Sequence, residues 1–359
     1  MSSSLKLGKP FGIKLSIHWT FLLLIAWIVM VDIQQGYNTQ QVFMSILFIL
    51  ALFVCVTLHE FGHALTAKKY GAEVHSITLL PIGGMANIEK MPEKPRQELL
   101  VTIAGLVVNI IIAGIIWGII STTSELNLQK MDFKTITAKN FFVMLMAVNV
   151  FIVIFNLIPA FPMDGGRLMR AVLSFRMDKL KATKISKIIG QIFAFLFVFA
   201  GFYINPFLIL IGIFVYFGAK SEFEMMKFTH ALGDFKAKDA VIQDYLTIDP
   251  DETLAGAANE LVHHHENAFL VKKDDQVQGI LTKNDLITGL SEKEKDTKVK
   301  EIMRTDVKTV EPDTSLQEVF NRIHQNNVSL VLVKNQDQLS GILSLENIRD
   351  FMMVQHAID

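Results

Sequence analysis

Residues 59–63 read His59-Glu60-Phe61-Gly62-His63, in the apolar run Val42–Ala67. On a helix, residues four apart share a face, so the two imidazoles can bind one Zn²⁺. Glu60 stands beside that face, where a carboxylate can take a proton from an attacking water. The surrounding run is long enough to cross a bilayer. Ionisable groups at membrane depth are costly and mark functional sites. A soluble helix tolerates two histidines and a glutamate by chance; an apolar helix needs a partner that justifies them. The pattern reads as a metal hydrolase working inside the membrane.

Working outward, composition divides the chain. It has 359 residues, 51% of them hydrophobic, and a mean hydropathy of +0.38. Residues 1–230 are rich in Phe, Ile, Leu and Val, whereas 234–359 carry an ordinary mixture of charges. The expected organisation is a membrane domain over 1–228, a linker over 229–239 and a soluble domain over 240–359. A net charge of −1 supplies no field for nucleic acid. The single cysteine, Cys55, excludes an internal disulfide and fits a reducing compartment. Met1 to Lys14 is polar, so no signal peptide is expected.

Apolar runs place spans near Ile17–Val31, Val42–Ala67, Leu99–Ile120, Phe141–Ile158, Ile185–Phe202 and Pro206–Tyr216. Lys and Arg gather before the first span, between the second and third, and after the fourth and sixth; Lys90 and Arg96 are among them. The loops Asp32–Gln41 and Tyr203–Asn205 have none, and 121–140 is mixed. Both termini are therefore expected in the cytoplasm. His59 and His63 then lie in the cytoplasmic half of the second span.

A site with two histidines needs a third protein ligand and an open position. Asp164 is the best candidate, in Asn156-Leu-Ile-Pro159-Ala-Phe-Pro162-Met-Asp164-Gly165-Gly166-Arg167 at the cytoplasmic end of the fourth span. Pro159 and Pro162 break the helix and the two glycines permit a tight turn. Broken backbone at this depth belongs where it is buried in protein or lines a wet cavity.

His-Glu-x-x-His in one span, followed by Asn-x-x-Pro-x-x-Pro-x-Asp-Gly-Gly in a later one, resembles the site-2 protease family of intramembrane zinc metalloproteases. The resemblance covers most of residues 10–225. It implies zinc on His59, His63 and Asp164, Glu60 as general base, and membrane protein substrates. Ala104-Gly105-Leu106-Val107-Val108-Asn109 also resembles the family's third-span motif, with Leu106 where many members have proline.

Between the second and third spans, Val74–Met85 is β-branched and apolar, then broken by Pro81, Gly83 and Gly84. It reads as a re-entrant β-hairpin offering an edge strand to an unwound substrate, with Gly83 and Gly84 at the contact. Asn109, Asn149 and Asn156 are polar groups in apolar spans. Interhelical hydrogen bonding is one role; contact with substrate or an oxyanion is another, for Asn156 and Asn109.

The soluble part repeats. Pro250 and Pro312, Leu254 and Leu316, Gly279 and Gly341, Thr282 and Ser344, and Asp285 and Asn347 are all 62 residues apart. Each copy, 240–295 and 299–356, reads as strand, helix, two strands, helix, and two stacked copies complete one core. Gly279-Ile-Leu-Thr282-Lys-Asn-Asp285 and Gly341-Ile-Leu-Ser344-Leu-Glu-Asn347 resemble a tandem CBS pair. That resemblance implies ATP, ADP or AMP, with Thr282 or Ser344 on phosphate and Asp285 on ribose; Asn347 departs from the acid. Assembly, as a homodimer through this pair, is the other role. His263, His264 and His265 diverge around a helix and share no metal.

The expected fold is thus a polytopic α-helical membrane protein of about six spans with a re-entrant hairpin, then a soluble α/β CBS pair. Two other classes share parts of the pattern: a CBS-bearing transporter, and a zinc-binding membrane scaffold without catalysis. Scarce membrane acids argue against the first and Glu60 against the second.

Overall fold

Thr39–Lys69 forms one helix of 31 residues. Asn38 starts it: the Asn38 side chain accepts from the Gln41 N–H and the Gln41 side chain accepts from the Asn38 N–H, both at 2.9 Å. That reciprocal box satisfies two donors the first turn would leave bare. The computed structural model describes residues 4–81, 83–88, 92, 94–122, 135–263, 268–274, 276–325, 328–336 and 338–358. Lys90, His264, His265 and most of the loop 121–140 lie outside them. The chain divides into two units, Met1–Met226 and Lys227–Asp359.

The first unit runs β1 (Ser4–Gly8), β2 (Lys14–His18), α1 (Thr20–Gln34), α2 (Thr39–Lys69), β3 (Val74–Leu80), β4 (Gly83–Ile88), α3 (Pro95–Thr122), α4 (Phe141–Asn156), α5 (Asp164–Leu173), α6 (Lys179–Tyr203) and α7 (Phe207–Ala231). By length and composition α2, α3 and α6 can each cross a membrane, while α1 and α4 are apolar but shorter. Every 18-residue window of α7 contains Lys220, Glu222 and Glu224, which sets it apart from these. Among the described residues three helices are thus long and apolar enough to span, and two of the other expected spans fall on the shorter apolar helices α1 and α4. Outward faces are apolar in keeping with that: Trp27, Trp117, Phe151, Phe199 and Phe217 are all exposed.

The amino-terminal stretch, expected as a polar lead into a span, is instead two strands. They extend a four-stranded sheet of order β1-β2-β3-β4, antiparallel except for β2 with β3. Ile13, Ile77 and Leu79 pack with Phe53, Phe61 and Ala64 of α2 to form the core beneath it. The polar residues that alternate with Leu5, Leu7, Leu15 and Ile17 disguised this pattern. Ile17, placed in the first span, belongs to β2. A further difference is α5, a helix directly after the proline-broken segment where only a turn was expected.

The second unit runs α8 (Ala237–Ala240), β5 (Thr247–Ile248), α9 (Leu254–His263), β6 (Ala268–Lys273), β7 (Gln276–Thr282), α10 (Lys283–Glu292), β8 (Thr309–Val310), α11 (Leu316–Gln325), β9 (Leu330–Asn335), β10 (Gln338–Ser344) and α12 (Leu345–Ile358). The two copies exchange their leading segments. Lys236 bridges Ser315 as Lys298 bridges Thr253, and Ile242 bridges Ile342 as Arg304 bridges Ile280. Each pair repeats at the 62-residue offset. Leu232, Ala237 and Ala240 therefore complete the core around Leu316, Val331 and Leu343 of the second copy, and Val299 completes that of the first. Residues 229–239, expected as a linker, carry two of these fully buried side chains, Leu232 and Ala237. Their polar neighbours, Lys236 and Asp239, hid this.

Candidate active site

Small residues let α2 and α3 approach closely. A Cβ on Gly62 would stand 2.8 Å from the Ala104 carbonyl oxygen and 2.9 Å from Val108 Cγ2. One on Gly105 would run into the His63 ring and come within 2.9 Å of His59 Cε1. The bare backbone of α3 thus lies directly on the two histidines, which are buried at 5% and 7% exposure.

Each imidazole is oriented by its far nitrogen. His59 Nδ1 donates to Asn109 Oδ1 at 2.9 Å, and His63 Nδ1 donates to the Val101 carbonyl at 2.8 Å. Both partners are acceptors, so each Nδ1 carries the proton and each Nε2 presents a lone pair. The two Nε2 atoms are 3.0 Å apart. Asn109 is itself fixed, donating through Nδ2 to Asn149 Oδ1 at 3.2 Å, while Asn149 donates to the Leu145 carbonyl at 2.8 Å.

Asp164 comes from the opposite side, at the first position of α5. Its Oδ2 stands 3.2 Å from both Nε2 atoms. The segment before it is held by close backbone packing. A Cβ on Gly165 would enter the Ile158 carbonyl, and one on Gly166 would stand 2.6 Å from the Phe161 nitrogen. Gly218 of α7 likewise leaves room for Pro162, and Gly190 of α6 for Ala160.

Asp164 Oδ2 is buried and accepts no hydrogen bond. Two lone pairs and a carboxylate face each other across 3.0–3.2 Å, an arrangement that repels itself unless a cation lies between them. Tetrahedral bonds of about 2.0–2.1 Å give ligand edges of roughly 3.3–3.4 Å, so the donors fit zinc in spacing and in kind. Among the described residues this trio is the one group of three His, Cys, Asp or Glu side chains placed to hold a metal.

Glu60 borders this cluster, half-buried. A Cβ on Gly84 would collide with Glu60 Cγ and stand 3.4 Å from Oε1, so β4 passes against the carboxylate. Gly83 opens the same strand at φ +139°, paired with Leu80. Asn156 is half-buried at the end of α4. Asn109, expected to meet substrate or an oxyanion, is fully buried and engaged with His59 and Asn149. Gly62, Gly105 and the Asn109–Asn149 pair were not legible as a group, because their meaning depends on how α2 and α3 cross. A buried ion pair of Arg170 with Glu98 escaped the sequence reading altogether.

In the second unit, Thr282 and Asp285 cap α10. Thr282 Oγ1 donates to Asp285 Oδ2 at 2.7 Å and accepts from the Asp285 N–H at 3.1 Å. Ser344 and Asn347 make the same box on α12, at 2.6 and 3.2 Å. Asp285 has a second partner: Arg304 donates to its two oxygens at 2.9 and 2.8 Å. Partial burial pushes the Asp285 carboxyl up, but Arg304 and Thr282 outweigh this and hold it below the usual range. A cavity of about 390 Å³ opens beside the pair, lined by Thr282, Arg304, Thr305, Asp306, Val328 and Ser329 among others. Asn347 has no arginine counterpart, since Ile242 stands at the position equivalent to Arg304.

The profile of peptidase family M50 matches residues 47–200, and that of the CBS domain matches 237–292 and 299–354. The zinc metalloprotease MJ0392 of Methanocaldococcus jannaschii is 34% identical over 355 residues, covering 99% of this chain and 97% of its own. Stage IV sporulation protein FB of Bacillus subtilis is 23% identical over 248 residues, or 67% of this chain and 82% of its own. Among solved structures, the site-2 protease from Methanocaldococcus jannaschii is 38% identical over 61% of this chain and 95% of its own, at a TM-score of 0.45. The chain belongs to peptidase family M50, the site-2 protease type of membrane zinc metalloprotease, and carries a tandem pair of CBS domains.

Proposed function

We propose that the protein is an intramembrane endopeptidase in which His59, His63 and Asp164 hold one zinc ion and Glu60 is the general base. The observation that carries this is the meeting of two imidazole lone pairs and an orphaned carboxylate oxygen beside a second carboxylate. Zinc, when bound, supplies a Lewis acid and makes water acidic enough to deprotonate near neutral pH. Glu60 takes the proton of the attacking water and delivers it to the leaving amine. Asn109 and Val101 keep both imidazoles in the tautomer that presents Nε2.

A peptide bond inside a helix is shielded by its own hydrogen bonds, so a membrane-embedded substrate has to become extended before attack. β4 is an outer strand of its sheet, and Gly84 brings it against Glu60. Its outer edge, unpaired among the described residues, supplies backbone partners to the unwound segment beside the base. Asn156, at the end of α4, is assigned to the substrate side of the site. Loop charge supports an orientation with both termini and the CBS pair in the cytoplasm.

The CBS pair is assigned a sensing role, with one adenine nucleotide at the first copy. The ribose hydroxyls compete with Arg304 for Asp285, and the released guanidinium turns to phosphate. Calorimetry of the full chain with ATP, ADP and AMP tests this; no binding of any of the three leaves assembly, as a homodimer, as the role of the pair.

The central test is an N-terminal peptide survey of membranes from cells making wild type or Glu60→Gln. New termini within or beside membrane helices, present only with wild type, are expected. Identical surveys, with both proteins folded and zinc-loaded, argue for a scaffold without catalysis.

A further inference from the structure

Arg170 is 3% exposed, yet no step of the reaction uses it. Its Nε and Nη2 both donate to Oε1 of Glu98, at 2.8 and 2.6 Å, and its Nη1 donates to Oε1 of Glu222 at 2.6 Å. Lys179 Nζ lies 3.3 Å from the other Glu98 oxygen. Two cations thus meet two anions. One guanidinium on α5 is tied to the first turn of α3, where Glu98 sits fully buried, and to the middle of α7. The same guanidinium lies over the ring of Phe161, 5.1 Å from its centroid. Phe161 is fully buried and three residues before Asp164.

We propose that Arg170 is a positioning residue that sets the place of Asp164 in the metal site, together with Glu98 and Glu222. The proposal rests on Asp164 being a zinc ligand. α5 has only ten residues, starts at Asp164 without a side-chain cap, and follows a segment broken by two prolines. A helix this short has little stability of its own, so contacts with its neighbours fix its rotation and its advance. Arg170 lies six residues on, about 120° around the helix from Asp164, and so pulls on α5 without meeting the metal. Its stacking on Phe161 holds the approach to Asp164 as well. Stability alone is a poor reason for the charges, since apolar residues of similar size often replace a buried ion pair without loss. His59 and His63 ride on α2 and take their orientation from α3 through Asn109 and Val101. Loosening α5 therefore weakens one arm of the site and leaves two in place.

Zinc affinity of the purified full chain, measured by chelator competition, tests this. The double variant Glu98→Gln/Arg170→Met leaves no isolated charge between those two residues; Glu222→Gln alone is a milder second probe. The expected result is zinc affinity about tenfold weaker in the double variant, in line with outer-shell effects, and a smaller loss in Glu222→Gln. Asp164→Asn should weaken zinc binding by itself, and neither change should weaken it further in that background. Both should keep their full effect in an Asn109→Leu background. Equal losses with and without Asp164 mean a general structural role and overturn the proposal, as does unchanged affinity in both variants. Asp164→Asn with unaltered affinity removes the ligand assignment and this proposal with it, which separates the two failures.

Discussion

The Asn109 side chain does for His59 what the Val101 carbonyl does for His63: each accepts the Nδ1 proton and aims Nε2 at its neighbour and at Asp164. Asn109→Leu removes that acceptor and should weaken zinc binding by about 10–100-fold, as read by chelator competition. Glu60→Gln keeps the shape and loses the carboxylate proposed as the base. It should retain full zinc stoichiometry while turnover falls by at least about 100-fold in a cleavage assay. His59, Glu60 and His63 were legible because four-residue spacing survives any tertiary arrangement. Asp164 was legible because prolines and glycines around an acid have few other uses at membrane depth. Arg170 and Glu98 were not, since 72 residues separate two charges that each look like ordinary loop or helix-end residues.

At the scale of elements, glycines decide how near the helices come to the chemistry. Gly105 is where α3 rests on the two imidazoles, so Gly105→Ala should push the His63 ring aside. The expected outcome is zinc affinity lowered by at least about tenfold with near-normal helix content by circular dichroism. Wild-type affinity would mean that α3 yields instead. The long helices α2, α3 and α6 follow directly from apolar length. The two amino-terminal strands were hidden because a half-buried strand alternates polar with apolar, which at the edge of an apolar helix reads as a polar leader. The repeat's order of strand, helix, two strands and helix recurs in both copies, as their alignment implied, since each copy checks the other.

For the molecule as a whole, acid stability has an identifiable source in the second unit. The folded-state pKa of Asp285 is depressed, so its contribution is complete above the unfolded value of about 3.9 and is lost as pH falls through the folded value. Hydrogen exchange in Ala268–Lys273 and Gln276–Thr282 should be faster in Asp285→Asn than in wild type at pH 5, after correction for intrinsic rates. That difference should shrink toward pH 3; a difference independent of pH would show that the carboxylate is not the stabilising group. The copy-to-copy offset was plain in the sequence. The exchange of leading segments was not, because a segment's partner is set by the direction the chain leaves a strand.

That exchange has a consequence for how the chain is made. Leu232, Ala237 and Ala240 leave the ribosome well before Leu343 and Ile348, the last buried residues of the core they share. At about 5–20 residues per second, the wait is roughly 5–20 s. The first copy completes its core once Val299 has emerged, while the start of the unit still shows apolar side chains to water. A pause in translation after residue 300 would lengthen that exposure. Synonymous changes that slow or speed this stretch should therefore alter how much of the protein escapes aggregation, with the finished sequence unchanged.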